Sequence, residues 1–169
     1  MVLSTRMTAK MNGSFCLFLI GMRVNHLWKI HKWLPVFLAM PKMLTELQRQ
    51  PILGFMGGHF WFGRTMILLQ YWRSFEDLTS YARQPDLAHL PAWTRFRAHI
   101  GDSGDVGIWH ETYLIAEGQY ETIYHNMPRF GLGGVGELVE AAGHRKSATG
   151  RIRGETPGME SDATSRIPE

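Results

Sequence analysis

Two histidines stand where a side chain could take or give a proton. His110 lies in Gly107-Ile108-Trp109-His110-Glu111-Thr112-Tyr113, and period-two alternation puts Ile108, His110, Thr112 and Leu114 on one side of a strand, with Trp109, Glu111, Tyr113 and Ile115 on the other. A histidine on an inward face either finds a hydrogen-bond partner or shifts its pKa, so His110 is a satisfied structural group or a poised acid/base. His89 is set among Leu87, Leu90, Trp93 and Phe96, where an imidazole either bonds a carbonyl or serves as a base. His59 follows Gly57-Gly58, which would let a ligand or another backbone approach closely. Tyr113 and Tyr124 can each donate a proton or a hydrogen bond, and Trp72, Trp93 and Trp109 read as core or as cavity wall. The other histidines read as surface or capping groups. No HxxxH or HExxH pair and no carboxylate cluster occurs, so no metal site is expected.

These residues need a scaffold. Phe15 to Val24 is a short apolar run bounded by Asn12-Gly13 and Asn25, as in a buried strand. Leu27 to Leu47 repeats apolar residues at helical spacing, and Pro35 and Pro41, placed in first turns, predict a helix broken into successive pieces. Phe55 to Phe62 and Thr65 to Trp72 flank Gly63-Arg64 as a tight hairpin. Ser74 then has the position of an N-cap, with Glu76 and Asp77 in the first turn and a restart after Gln84-Pro85-Asp86. Gly101 to Asp105 is a turn cluster before the strand Val106 to Ile115. The order is βαββαβ.

Such a chain folds as an antiparallel sheet with both helices on one face. The first three strands are apolar on both faces, so the uncovered face predicts a homodimer packed sheet to sheet. Domain bounds follow: a lead over 1–14, a ferredoxin-like α+β domain over 15–116, an extension over 117–143 packing on it, and a tail over 144–169. The tail is rich in Ser, Thr, Gly, Arg and Glu and is expected to be disordered.

With 169 residues, 44% of them hydrophobic, one core and one domain are expected. A net charge of +3 with no basic and aromatic stripe argues against nucleic acid as a partner. Cys16 is the single cysteine, so no internal disulfide forms, which fits a reducing cytoplasm. Arg6 and Lys10 before Phe15 to Met22 imitate a signal peptide, but the apolar run is short, Arg23 follows, and no cleavage site is present. No stretch reaches the roughly 18 apolar residues of a membrane span, and no membrane partner is expected.

The phrases Phe18-Leu19-Ile20-Gly21-Met22-Arg23-Val24-Asn25, Gln70-Tyr71-Trp72-Arg73-Ser74-Phe75-Glu76-Asp77-Leu78, His89-Leu90-Pro91-Ala92-Trp93, Gly107 to Tyr113 and Asn126-Met127-Pro128 resemble the fumagillin-pathway monooxygenase-like family. That family belongs to the dimeric α+β barrel superfamily, with the antibiotic-biosynthesis monooxygenases. The resemblance implies a ferredoxin-like protomer, a homodimer joined through its sheets, and a pocket between sheet and helices. It also implies oxidation of a small aromatic or polyketide-like substrate by molecular oxygen, with no cofactor. That chemistry asks for a base, a dry chamber and donors for a developing oxyanion. The resemblance then assigns His89 or His110 as base, Tyr113 and Arg73 as polar anchors, and Trp72, Trp93 and Trp109 as walls, with His59 a further substrate-binding candidate. Other superfamily members bind haem and either degrade it or use it to dehydrate aldoximes. Here Leu78 stands where haem-degrading enzymes place a helix tryptophan, and Asn25 falls too late for their strand asparagine, so haem is the alternative cofactor only through another ligand set. A third reading is a non-catalytic dimer that binds a small ligand, since fold does not fix function.

Overall fold

A computed structural model describes residues 1–153. Its central sheet is four antiparallel strands in the order β3-β4-β2-β5: β2 (Phe15–Val24), β3 (Phe55–Trp61), β4 (Thr65–Trp72) and β5 (Val106–Ile115). Helix α1 (Ile30–Arg49) joins β2 to β3, and α2 (Phe75–Arg83) with α3 (His89–His99) joins β4 to β5. This is the ferredoxin-like α+β arrangement. The register pairs Ile20 with Leu68 and His110, and Leu19 with Leu69 and Glu111, so the pleat sorts every strand residue onto one of two faces.

One face is covered by helices. Cys16, Met22, Val24, Met66, Leu68 and Trp72 are buried on it, against Leu47 of α1, Leu78 and Tyr81 of α2, and Phe96 and Ile100 at the α3 end. Ser74 caps α2 by accepting from the Asp77 amide at 3.1 Å, and Pro85 lies in the gap between α2 and α3.

Helix α1 differs from the expected broken helix. It runs unbroken for 20 residues with Pro35 and Pro41 inside it. Each proline removes one hydrogen bond to the carbonyl four residues earlier. Both lie on the exposed side, where a freed carbonyl can find another donor. The one opposite Pro35 does: His31 O accepts from His99 Nε2 of α3 at 3.0 Å.

The other sheet face is covered in part by the chain ends. The 1–14 lead contains β1 (Met7–Lys10), which pairs with β6 (Glu137–Glu140) just after the short helix α4 (Leu132–Val135). Ala9, Met11, Phe15, Tyr71 and Leu132 form a core there, with Tyr120 and Tyr124 packed on it. Burial, with Tyr124 beside it, pushes the Tyr71 phenol up to about 12, so it is neutral. The close approach anticipated at Gly57 is made by the chain itself: a Cβ there would sit 2.6 Å from Val135 Cγ1. The expected tail departs from a plain coil over its first part, since α5 (Ala148–Arg153) forms and Arg151 pairs with Glu121. Positions 154–169 of that tail lie outside the described residues. No described helix is long and apolar enough to cross a membrane.

Candidate active site

The two sheet faces divide the candidate residues. His110 pairs with Ile20 and Trp72 with Cys16, placing both on the sheet face that carries the helices, Trp72 buried and His110 exposed, and the His110 ring lies 5.7 Å from that of Phe18. Tyr113, Trp109 and His59 pair with Leu17, Gly21 and Leu69, all of the opposite face. They therefore cannot share an enclosed volume with His110 or His89, because the sheet stands between. Each has other work. The Tyr113 hydroxyl donates to Glu111 at 2.6 Å, which raises its pKa. The Trp109 indole lies across Gly21, whose missing Cβ leaves the room. His59 accepts from the Gly131 amide at 2.8 Å and packs on Phe130 at 4.2 Å, anchoring the extension.

Arg73 is also removed from the helix-covered interior. It is exposed at the end of β4, where its guanidinium holds Asp77 one helical turn on and the Ile52 carbonyl. Trp93 is 42% exposed and stacks on Phe96. His89 binds the Ala82 carbonyl through Nδ1 at 3.1 Å. A carbonyl only accepts, so Nδ1 carries the proton and Nε2 keeps the lone pair of the neutral ring. The ring stands 6.0 Å from Tyr81, which in turn lies 5.7 Å from Trp72.

The residue that the sequence did not single out by itself is Gln70. It is 6% exposed, in the middle of β4 on the helix-covered face. Trp72 Nε1 donates to its Oε1 at 2.8 Å. An indole N–H only donates, so this bond fixes the amide's orientation and leaves the Nε2 donors turned away. Among the described residues Nε2 has no hydrogen-bond partner, and no side-chain polar atom sealed from solvent is left unpaired, so Nε2 reaches open space. The available signal was a lone amide at an inward position of an otherwise apolar strand, two residues from a tryptophan.

Gln70, Phe18 and Thr112 form one row across β4, β2 and β5, and His110 begins the next row beyond Ile20. Phe18, Ile20 and Thr112 are half-buried and His110 is exposed, so the helices leave this strip partly open. The strip offers an apolar floor, a fixed amide donor at one side and an imidazole at the other. Adjacent strands lie about 5 Å apart and each residue advances about 3.3 Å, so Gln70 and His110, two strands and one row apart, are separated by roughly 12 Å over the sheet. A molecule of two or three fused rings spans that distance.

The crevice between α1 and the sheet, lined by residues including Ile20, Phe37, Met40 and Met66, measures only about 10 Å³. A haem does not fit there, and beside His89 the volume is occupied by Trp72, Tyr81, Leu78 and Leu87. A groove of about 500 Å³ runs along the outer side of α1, between Pro41 and Gln50, and reaches no sheet residue. Cys16 is buried, and burial, then the nearby Glu76 charge, raises its pKa, which makes it a poor nucleophile.

Comparison with known proteins bears on the fold and the family. An aldoxime dehydratase crystallised with butyraldoxime superposes with a TM-score of 0.58 at 14% identity, over 89% of this chain and 40% of that one. SnoaB, a cofactor-independent oxygenase from Streptomyces nogalater, aligns at 16% identity with a TM-score of 0.42, over 59% of this chain and 90% of its own. Monooxygenase af470 of Aspergillus fumigatus is 29% identical over 167 residues, covering 88% of this chain, while the chain spans only 57% of that relative's length. Residues 15–132, from the start of β2 to the start of α4, match the model of one family, and the chain belongs to it: the monooxygenase af470-like family.

Proposed function

We propose that this protein is a monooxygenase that oxidises a small aromatic or polyketide-like molecule with molecular oxygen, without a bound cofactor, on the strip between Gln70 and His110. Family membership supports the reaction class. The observation that carries the site is the buried Gln70 amide, oriented by Trp72 and with its donors free.

A methylene flanked by aromatic rings is acidic enough for an imidazole to deprotonate once the resulting enolate oxygen is held by a donor. His110 takes the proton, and the Gln70 amide hydrogen-bonds the oxygen on which charge develops. The carbanion carbon bonds to molecular oxygen, and the imidazolium returns the proton to the peroxide. Loss of water then leaves a ketone, so that CH2 and O2 become C=O and H2O. Thr112, in the same row as Gln70, is placed to bond a substrate oxygen. His89, tied to the Ala82 carbonyl, acts as a positioning residue that fixes the start of α3 against α2.

The open sheet face supports a homodimer. Leu17, Leu19, Ile67 and Leu69 are only half-buried there, with Tyr113 45% exposed, and a second copy would cover them. The test is turnover: the colourless purified protein should consume oxygen with an anthrone-like substrate, and His110→Ala should lower kcat/KM roughly 10²- to 10⁴-fold. Full activity of that variant removes His110 as the base.

A further inference from the structure

The outward side of α1 has no role in the site, yet it is unusually apolar. Ile30, Leu34 and Leu38, one turn apart, are exposed along it, and Trp28, 75% exposed, precedes them. Phe62, at the tip of the β3–β4 hairpin, is 73% exposed and lies 5.8 Å from Phe37 of α1, so it extends the same patch. Sheet packing between two copies would not cover it, because α1 lies on the opposite side of the sheet from the face open to a second copy.

Charge indicates what does. Glu46 is the first acidic residue of the chain and Glu76 the next, whereas Arg6, Lys10, Arg23, Lys29, Lys32 and Lys42 all precede Glu46. The one acid of α1, half-buried and bordering the groove beside Lys42 and Arg49, is already engaged: its carboxylate accepts from the Tyr81 hydroxyl and the Ala88 amide. Lys42 and Arg49 are exposed on the outward side of α1, and neither has an ion-pair partner among the described residues. An exposed apolar stripe with a tryptophan at its end, cations beside it and no free acid has the composition of a helix that lies in an anionic membrane surface. A protein groove would supply the apolar contacts but gives no reason for the absence of acids over so long a stretch.

We infer that the outward side of α1, with Trp28 and Phe62, docks on the surface of an anionic lipid bilayer without crossing it. The experiment is flotation of the full chain with vesicles of phosphatidylcholine alone or of phosphatidylcholine mixed with phosphatidylserine. Binding to the mixed vesicles only is expected, weakened by added salt. Leu34→Glu with Leu38→Glu should lower the partition coefficient at least about tenfold, and Lys42→Gln with Arg49→Gln by roughly tenfold or more. These positions are exposed, so circular dichroism should be unchanged. No binding to either vesicle, or equal binding to both, overturns the inference. So does a fall in solution mass of the Leu34→Glu, Leu38→Glu protein without vesicles, which would make a second copy the occupant.

Discussion

Gln70 and Asp105 show how differently two buried polar residues can be used. Gln70 has its Oε1 engaged by Trp72, while its Nε2 has no hydrogen-bond partner among the described residues. Gln70→Leu keeps the shape and removes the donor, so kcat should fall roughly 10²- to 10³-fold with a smaller change in KM. The same change leaves the buried Trp72 N–H unpaired, at a stability cost of about 1–3 kcal/mol that a denaturant titration would read separately. Asp105 is fully engaged: Lys29 donates to it at 2.7 Å and His26 binds it at 2.8 Å. Lys29 lowers its pKa most; burial opposes the shift and His26 adds to it. The folded carboxyl is thus the stronger acid, so its contribution is present above the ordinary carboxylate range and is lost as pH falls through the folded value. Asp105→Asn should therefore flatten the fall in melting temperature as pH drops through and below the ordinary carboxylate range, and an unchanged slope would exclude this clamp. His110 could be placed on a face from alternation alone. That Tyr113 and Trp109 belong to the other face followed from the same alternation, but which face the helices cover needed the strand order.

Among the elements, the strands and the second helical region were legible because their signals are local: apolar runs ended by Gly and Asn, a hairpin loop, and Ser74 three residues before Asp77. Helix α1 was misread at its prolines, because the sequence does not show that His99 will reach the carbonyl freed by Pro35. His99→Ala should accordingly loosen the first half of α1, seen as faster amide exchange around Pro35, and no change there would deny the compensation. The β1–β6 pair was not legible, since each strand has only four residues and its partner is more than a hundred residues away. Its packing depends on Gly133, where a Cβ would meet Leu138 Cδ2 at 2.7 Å and the Tyr124 ring at 3.1 Å. Gly133→Ala should cost about 1–3 kcal/mol by overpacking and free the extension, as limited proteolysis would show.

At the scale of the molecule, the proposed function gives the two sides of one sheet different work: the helix-covered face would bear the strip between Gln70 and His110, and the part of the other face that the chain ends leave uncovered would meet a second copy. Leu19→Arg, in the middle of that open face, should give a monomer in sedimentation while leaving the secondary structure intact; a protein already monomeric before the change would end the dimer proposal. The fold was readable from the order of apolar runs and the family from five phrases, whereas the proposed strip was not, because Gln70, Phe18, Thr112 and His110 come together only through the strand order β4-β2-β5. Oxygen-isotope labelling bears most directly on whether this strip performs oxygenation. The purified protein with no cofactor added, given an anthrone-like substrate under labelled oxygen gas, should place one labelled atom in the new carbonyl, and Gln70→Leu and His110→Ala should each abolish most of that incorporation. Label drawn from water, a requirement for added haem, or undiminished incorporation by both variants would contradict it.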